Sequence, residues 1–213
     1  MKILPPILPP SFNRPDDLAT FFLDEDTVTG VIAENEFFTS EELTKTSVSE
    51  STFRRMSFSR VEAKRFDVLD CEFKNCDFTT SNFPSSSWYR AAIDGARCSG
   101  MQVTESKFRN VSFKNSKLEL MNFRFSDLEN VLFEDCVLDD VDFYSAKLKN
   151  VSFVNCTINK ISFASARVTN TDLSESSIEQ INGANSLKGV TISYDQLMQL
   201  APFFAAEAGI KIK

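Results

Sequence analysis

The chain has 213 residues, 42% hydrophobic and 25% charged, with a formal net charge of −7, which suits one soluble domain or a domain with a tail. It holds 21 phenylalanines, only 6 glycines and no histidine. Without histidine it can run no Ser-His or Cys-His triad and offers no imidazole to a catalytic zinc. No run approaches the ~20 apolar residues of a membrane-spanning helix.

Residues 1–27 are expected to form an N-terminal lead-in segment and a cap. The opening Met1-Lys2-Ile3-Leu4-Pro5-Pro6-Ile7-Leu8-Pro9-Pro10 breaks its apolar residues with two Pro-Pro pairs. These favour extended polyproline geometry and interrupt the continuous apolar core of a signal peptide, so the expected location is cytoplasmic.

A period of five then takes over. From Phe53 to Ile178, all 26 positions whose numbers end in 3 or 8 are apolar. At 42% usage that has a chance probability of about 10⁻¹⁰. The frame extends back through Val48, Leu43, Phe38, Ala33 and Val28. Two places earlier stand smaller residues, among them Cys71, Cys76, Ser81, Ala91, Cys136 and Cys156. Five steps turn an α-helix by about 140° and carry a strand to its opposite face, so neither keeps these sites together. A backbone that turns a corner of about 90° every five residues does, making coils of 20 residues stacked about 4.8 Å apart.

Residues 20 apart must then form columns. Phe113, Phe133 and Phe153 make one, Phe123, Phe143 and Phe163 another, with aliphatic ladders of Leu118, Leu138, Ile158 and of Leu128, Leu148, Val168 between them. Asn110, Asn130, Asn150 and Asn170 fall together at a corner, where asparagine tolerates turn geometry. The cysteines fit the repeat as core residues, so no disulfide framework, metal site or cofactor is expected.

Segments such as Cys136-Val137-Leu138-Asp139-Asp140 and Ala146-Lys147-Leu148-Lys149-Asn150 resemble the pentapeptide repeat. The resemblance implies an all-β solenoid, the right-handed quadrilateral β-helix. It is expected over residues 28–185, most securely over 51–180.

Residues 186–213 are expected to form a C-terminal cap. Leu187-Lys188-Gly189-Val190-Thr191-Ile192 leaves the frame, and Ser193 with Gln196 is a capping-box pattern opening a helix. Leu197, Met198, Leu200, Ala201, Phe203 and Phe204 give that helix an apolar face, Pro202 should kink it, Gly209 should end it, and Ile210-Lys211-Ile212 should form a short strand. The helix would be a lid on the last coil or, as the resemblance favours, also the interface of a homodimer.

Residues 1–50 carry 10 acids against 3 bases, whereas residues 51–180 carry 18 against 17. The body is nearly neutral. Its one acidic run, from Asp127 to Asp142, should wrap a circumference as a ring. Neighbouring coils should oppose it, with Asp127 between Lys107 and Lys147, Glu129 between Arg109 and Lys149, and Asp140 beside Lys160. Leu120, Phe125, Leu132, Val137, Tyr144 and Val154 should face outward and could mark a protein interface. There is no Gly-rich phosphate loop, no nucleophile elbow and no metal-ligand pattern.

The overall layout is similar to the quinolone-resistance (Qnr and MfpA-type) group of pentapeptide-repeat proteins. That resemblance implies a non-enzymatic, rod-shaped DNA mimic that binds DNA gyrase or topoisomerase IV and protects it from quinolones, without contacting nucleic acid itself. Its partner-binding acids would be Glu119, Asp135, Asp139 and Asp142. The alternative is a structural scaffold with a different protein partner. No insertion breaks the frame by other than a multiple of five, so the projecting loops of many such proteins have no clear counterpart.

Overall fold

The computed structural model describes residues 2–15, 27–37, 42–43 and 46–211, the side chains of 42 and 43 aside. Phe38, the side chain of Leu43, Ile212 and the acids Asp16, Asp17, Asp24, Glu25, Asp26 and Glu41 lie outside the described residues. The chain is a parallel β-solenoid of about eight turns, about 20 residues each, closed by a C-terminal helix. It is the quadrilateral β-helix expected. Register is +20 along the body, apart from an irregularity where Val154 pairs with Glu175: Val28 pairs with Val48, Val48 with Val68, Trp88 with Phe108 and Leu128 with Leu148.

The corners explain the period. Among the described residues, twenty-two non-glycine residues whose numbers end in 0 or 5 have positive φ, including Asn75 (55°), Asn110 (56°), Asp135 (54°) and Asn150 (53°). Each such residue costs about 1–2 kcal/mol for an ordinary L side chain, and less for asparagine or aspartate, whose short polar arms bond locally. Interior packing offsets that cost. Phe133 stacks on Phe113 at 5.1 Å and on Phe153 at 4.7 Å, with rings nearly parallel. Across the core it meets Phe143 edge to face at 6.4 Å and 77°. The four sides are named here by their inward columns: the first carries Leu128, the second Phe133, the third Leu138 and the fourth Phe143.

Coil 88–101 departs from the neat columns. Cys98 is the small member of a column otherwise held by Phe78 and Leu118, and Trp88 takes up the space from the opposite side, donating its indole N–H to Ser86 Oγ at 2.9 Å. The packing beside them leaves no space for a water-sized group.

The small inward positions hold more than small hydrophobes. Ser126 Oγ donates to the carbonyl of Val103 (2.7 Å) and Ser176 Oγ to that of Phe153 (2.9 Å). Cys76, Cys136 and Cys156 reach the equivalent carbonyls of Phe53, Phe113 and Phe133. Serine and cysteine interchange there because each is a compact donor that ties one coil to the next. All five cysteines are free and buried. Burial pushes Cys71 up to about 12 and Cys76 up to about 11, and for Cys136 the hydrogen bond with Cys156, then burial, does the same. A thiol that is neither exposed nor ionised is unreactive. An aromatic disulfide reagent at pH 8 should therefore modify none of the five in the native protein and all five in denaturant; rapid native labelling of Cys136 or Cys156 would contradict this packing.

The N-terminus does more than cap the first coil. Asn13 bridges to Val31, beneath the first turn, and residues 2–10 then climb the outside of the rod. Ile7 N–H donates to Asp70 Oδ1 at 2.9 Å and Leu4 N–H to Asn110 Oδ1 at 3.5 Å. Asp70, nearly buried, also takes a two-pronged hydrogen bond from the Arg90 guanidinium. Burial pushes its carboxyl up, but the Arg90 hydrogen bond, the Ile7 N–H and the Arg90 charge together hold it below the ordinary carboxylate value. A lowered folded pKa makes its contribution complete above about pH 4, to be lost as pH falls through the folded value.

Candidate partner-binding surface

The outward apolar residues divide among three sides. Leu132 and Val154 lie on the second side and Val137 on the third, all half-buried. Leu120, Phe125 and Tyr144 gather around the fourth side at mid-rod. Leu120 and Phe125 occupy its two corners in one coil and are 63% and 55% exposed. Phe125 meets Tyr144, one coil on, edge to face at 5.7 Å. The Arg124 guanidinium lies 5.5 Å from the Tyr144 ring centre and bonds Asp142 at 2.6 Å.

The two corners are the informative ones. Leu120 (φ 54°) and Phe125 (φ 61°) are left-handed, where the coils on either side place Gly100 and Asp140 in the first column and Glu105 and Ser145 in the second. Neither side chain can bond its own backbone, so each bears the full left-handed cost while exposing apolar surface. Strain of this kind concentrates at functional positions.

The acidic residues are arranged as a ring around coil 127–142. Glu119 stacks beneath Asp139 on the third side and accepts Ser99 Oγ at 2.9 Å. Asp142 lies round the corner on the fourth side, and Asp135 stands at the far corner of the third. Thus Glu119, Asp139 and Asp142 share one edge and Asp135 does not. Neighbouring coils oppose the ring: Glu129 meets Arg109 (3.2 Å) and Lys149 (2.7 Å), Asp140 meets Lys160 (2.8 Å) and Glu134 meets Lys114. Asp127 has the expected neighbours Lys107 and Lys147 in register, but its ion pair is with Arg109, whose longer fork reaches it at 3.0 Å. Among the described residues, none of the ion pairs involves Glu119, Asp135 or Asp139.

At the C-terminal end, Val190–Thr191 pairs with Thr171–Asp172 at an offset of 19, where the frame is left. Helix α1 (Tyr194–Glu207) follows, with the Ser193–Gln196 capping box formed, and it continues through Pro202 as one element. It ends at Gly209 (φ 73°). Ile210 is not in a strand, because its N–H turns back to Ala205 O at 2.8 Å and closes a Schellman motif. Leu200 is wholly buried on the last coil, and Phe203 and Phe204 are packed against the core. Leu197, Met198 and Ala201 are exposed, with Tyr194 beside them. Sequence reasoning missed two clamps. Gln196 donates its side-chain amide to the carbonyls of Leu173 (2.7 Å) and Ser176 (2.5 Å), and Glu207 accepts the N–H groups of Gly183 and Ala184, both at 2.7 Å. It also missed the Asp70–Arg90 latch, although an acid and a base 20 apart in the asparagine column were a visible signal.

No helix is long and apolar enough to cross a membrane, and no group of three or more Cys, Asp or Glu side chains is placed to share a metal ion, among the described residues.

No curated protein matches the chain. Among solved structures, it is similar to a trypsin-treated form of QnrB1, a plasmid-mediated fluoroquinolone resistance protein, with a TM-score of 0.53 and 19% identity over 88% of this chain and 100% of that one. A second match, at a TM-score of 0.31 and 12% identity over 78% of this chain and 89% of that one, is HetL, a pentapeptide repeat protein involved in heterocyst differentiation regulation in the cyanobacterium Nostoc sp. strain PCC 7120. At 19% identity the likeness to the first is one of fold alone. The family model for the pentapeptide repeat region matches residues 66–143 and 126–197, more than half of the sequence, so the chain belongs to the pentapeptide-repeat family.

Proposed function

We propose that the protein is a non-catalytic rod that binds another protein through the middle of its fourth side, and that it pairs as a homodimer through the exposed Leu197, Met198 and Ala201 of α1. The observation that carries the first part is the pair of exposed apolar side chains at strained corners, Leu120 and Phe125, beside Tyr144. In this reading the partner is a bacterial type II topoisomerase, DNA gyrase or topoisomerase IV. The rod would stand in for DNA with Glu119, Asp135, Asp139 and Asp142 and would confer quinolone protection. The sequence resemblance and a fold shared with a fluoroquinolone resistance protein support it. The cross-coil ion pairs favour a second reading, a scaffold for a different partner, since they leave a patchwork of charge in place of a negative band.

Gyrase supercoiling assays with and without a quinolone separate the two: no binding, inhibition or protection at micromolar protein rejects the topoisomerase. The surface itself is tested by Leu120→Asn and Phe125→Asn. Each should raise stability by about 0.5–1 kcal/mol, since asparagine suits the left-handed corner. Each should also weaken partner binding, whichever the partner, by about tenfold or more. Unchanged binding in both variants would move the interface elsewhere.

A further inference from the structure

The second side, opposite the proposed interface, already holds a bound chain segment: the protein's own N-terminal arm. The arm is proline-rich and extended, and its spacing matches the rod. Its two anchoring N–H groups, on Ile7 and Leu4, are three residues apart, and the acceptors Asp70 and Asn110 are two coils apart in one corner column. Three residues of polyproline geometry rise about 9.3 Å, and two coils rise about 9.6 Å. A polyproline turn therefore keeps step with every second coil. The floor is low here: Ala92 and Ser112 stand between Glu72 and Leu132 in their column, a surface cavity of about 390 Å³ opens between them and residues 2–6, and Leu132 stands at the arm's upper end.

The track continues past that end. A surface cavity of about 250 Å³ opens between Leu132, Ser152, Val154, Asp172 and Glu175. Asn150 and Asn170 carry on the acceptor column beside it. The open end is negative: among the described residues, no ion pair involves Asp172 or Glu175.

We propose that this side is a recognition track for an extended, proline-containing segment of another protein, carrying basic residues about five positions before its prolines, and that the arm occupies the lower track in competition with it. A partner segment lying in the arm's orientation places those basic residues at Glu175 and Asp172, and its prolines over Ala92 and Ser112. This inference is independent of the topoisomerase reading, which uses the other side of the rod.

The test is fluorescence anisotropy with a labelled peptide of residues 2–10 preceded by two arginines. The proteins compared are the full chain and a variant lacking residues 2–12. Saturable binding to the shortened protein, at least tenfold weaker binding to the full chain, and a tenfold loss with Asn110→Ala or Glu175→Lys in the shortened background are expected. A peptide with all prolines replaced by alanine should bind at least tenfold more weakly. If the shortened chain does not fold, a protease site between Pro10 and Ser11, cut after folding, frees the track in an intact solenoid. A folded, arm-free protein that binds no peptide, or binds the alanine peptide equally well, overturns the proposal.

Discussion

Phe133→Ala should cost about 3–5 kcal/mol, the range for emptying an aromatic site in a close-packed core, and it should split unfolding into two steps. The ring has partners on every side: Phe113 and Phe153 above and below, Phe123 at 6.2 Å and Phe143 at 6.4 Å across the axis. A solenoid's coils touch only their neighbours, so its stability is nearly a sum of coil and interface contributions. Removing a ring at mid-rod weakens two interfaces at once and uncouples the halves that it joins. Phe133→Leu keeps most of the volume and matches the aliphatic ladders alongside, and should cost about 1 kcal/mol. Denaturant unfolding followed by far-ultraviolet circular dichroism and by Trp88 fluorescence checks both. Trp88 reports the N-terminal half, so its transition should separate from the global one in Phe133→Ala and coincide with it in the wild type. Coincident transitions in the alanine variant would mean that the rod folds as one unit despite the void.

The fold was legible because period five conflicts with every common element, and because the same frame that places Phe133 inward also places Asp135 and Asn130 at corners. Interior side chains meet only one another, so their identity records the geometry directly. The lid was legible for a related reason: Ser193 and Gln196 carry a local hydrogen-bond pattern with fixed spacing. What failed to show were contacts between distant segments without a shared period. Nothing in Leu4 or Ile7 announces Asn110 or Asp70 as partners, since polyproline geometry has no internal hydrogen bonds and takes its position from whatever surface it lies on. Leu120 and Phe125 were visible as outward apolar residues. Their separation from Leu132, Val137 and Val154 required the coils to be closed, and the strain at their corners required the backbone angles. Asp127 shows the limit for charge: register placed it between two lysines, but reach decided for Arg109.

Gln196→Ala should cost about 3 kcal/mol, more than its position on a short terminal helix would suggest. Three interactions end together: the Ser193 N–H bond to Gln196 Oε1, which is half of the capping box and worth about 0.5–1.5 kcal/mol as an ordinary hydrogen bond, and the amide bonds to Leu173 O and Ser176 O. These carbonyls belong to the last coil, with no further strand to receive them, and leaving a buried acceptor unpaired costs about 1–3 kcal/mol. Gln196→Glu sharpens the test. It keeps the size and the capping acceptor but sets a carboxylate against two carbonyl oxygens, so burial and repulsion raise its folded pKa above the usual ~4.3. The penalty is then full at neutral pH and shrinks as pH falls through that raised value, because the protonated acid can donate again. Stability of the Glu variant relative to wild type should therefore improve from pH 7 to pH 5, while that of the Ala variant stays flat. Removing residues 193–213 altogether should leave Leu173 and Ile178 as an open apolar end with unpaired strand groups, and produce end-to-end aggregates in light scattering. If Gln196→Ala instead falls within about 0.5 kcal/mol of wild type, the scatter of ordinary surface substitutions, the lid is held by Leu200, Phe203 and Phe204 alone, and the carbonyls of the last coil are satisfied without it.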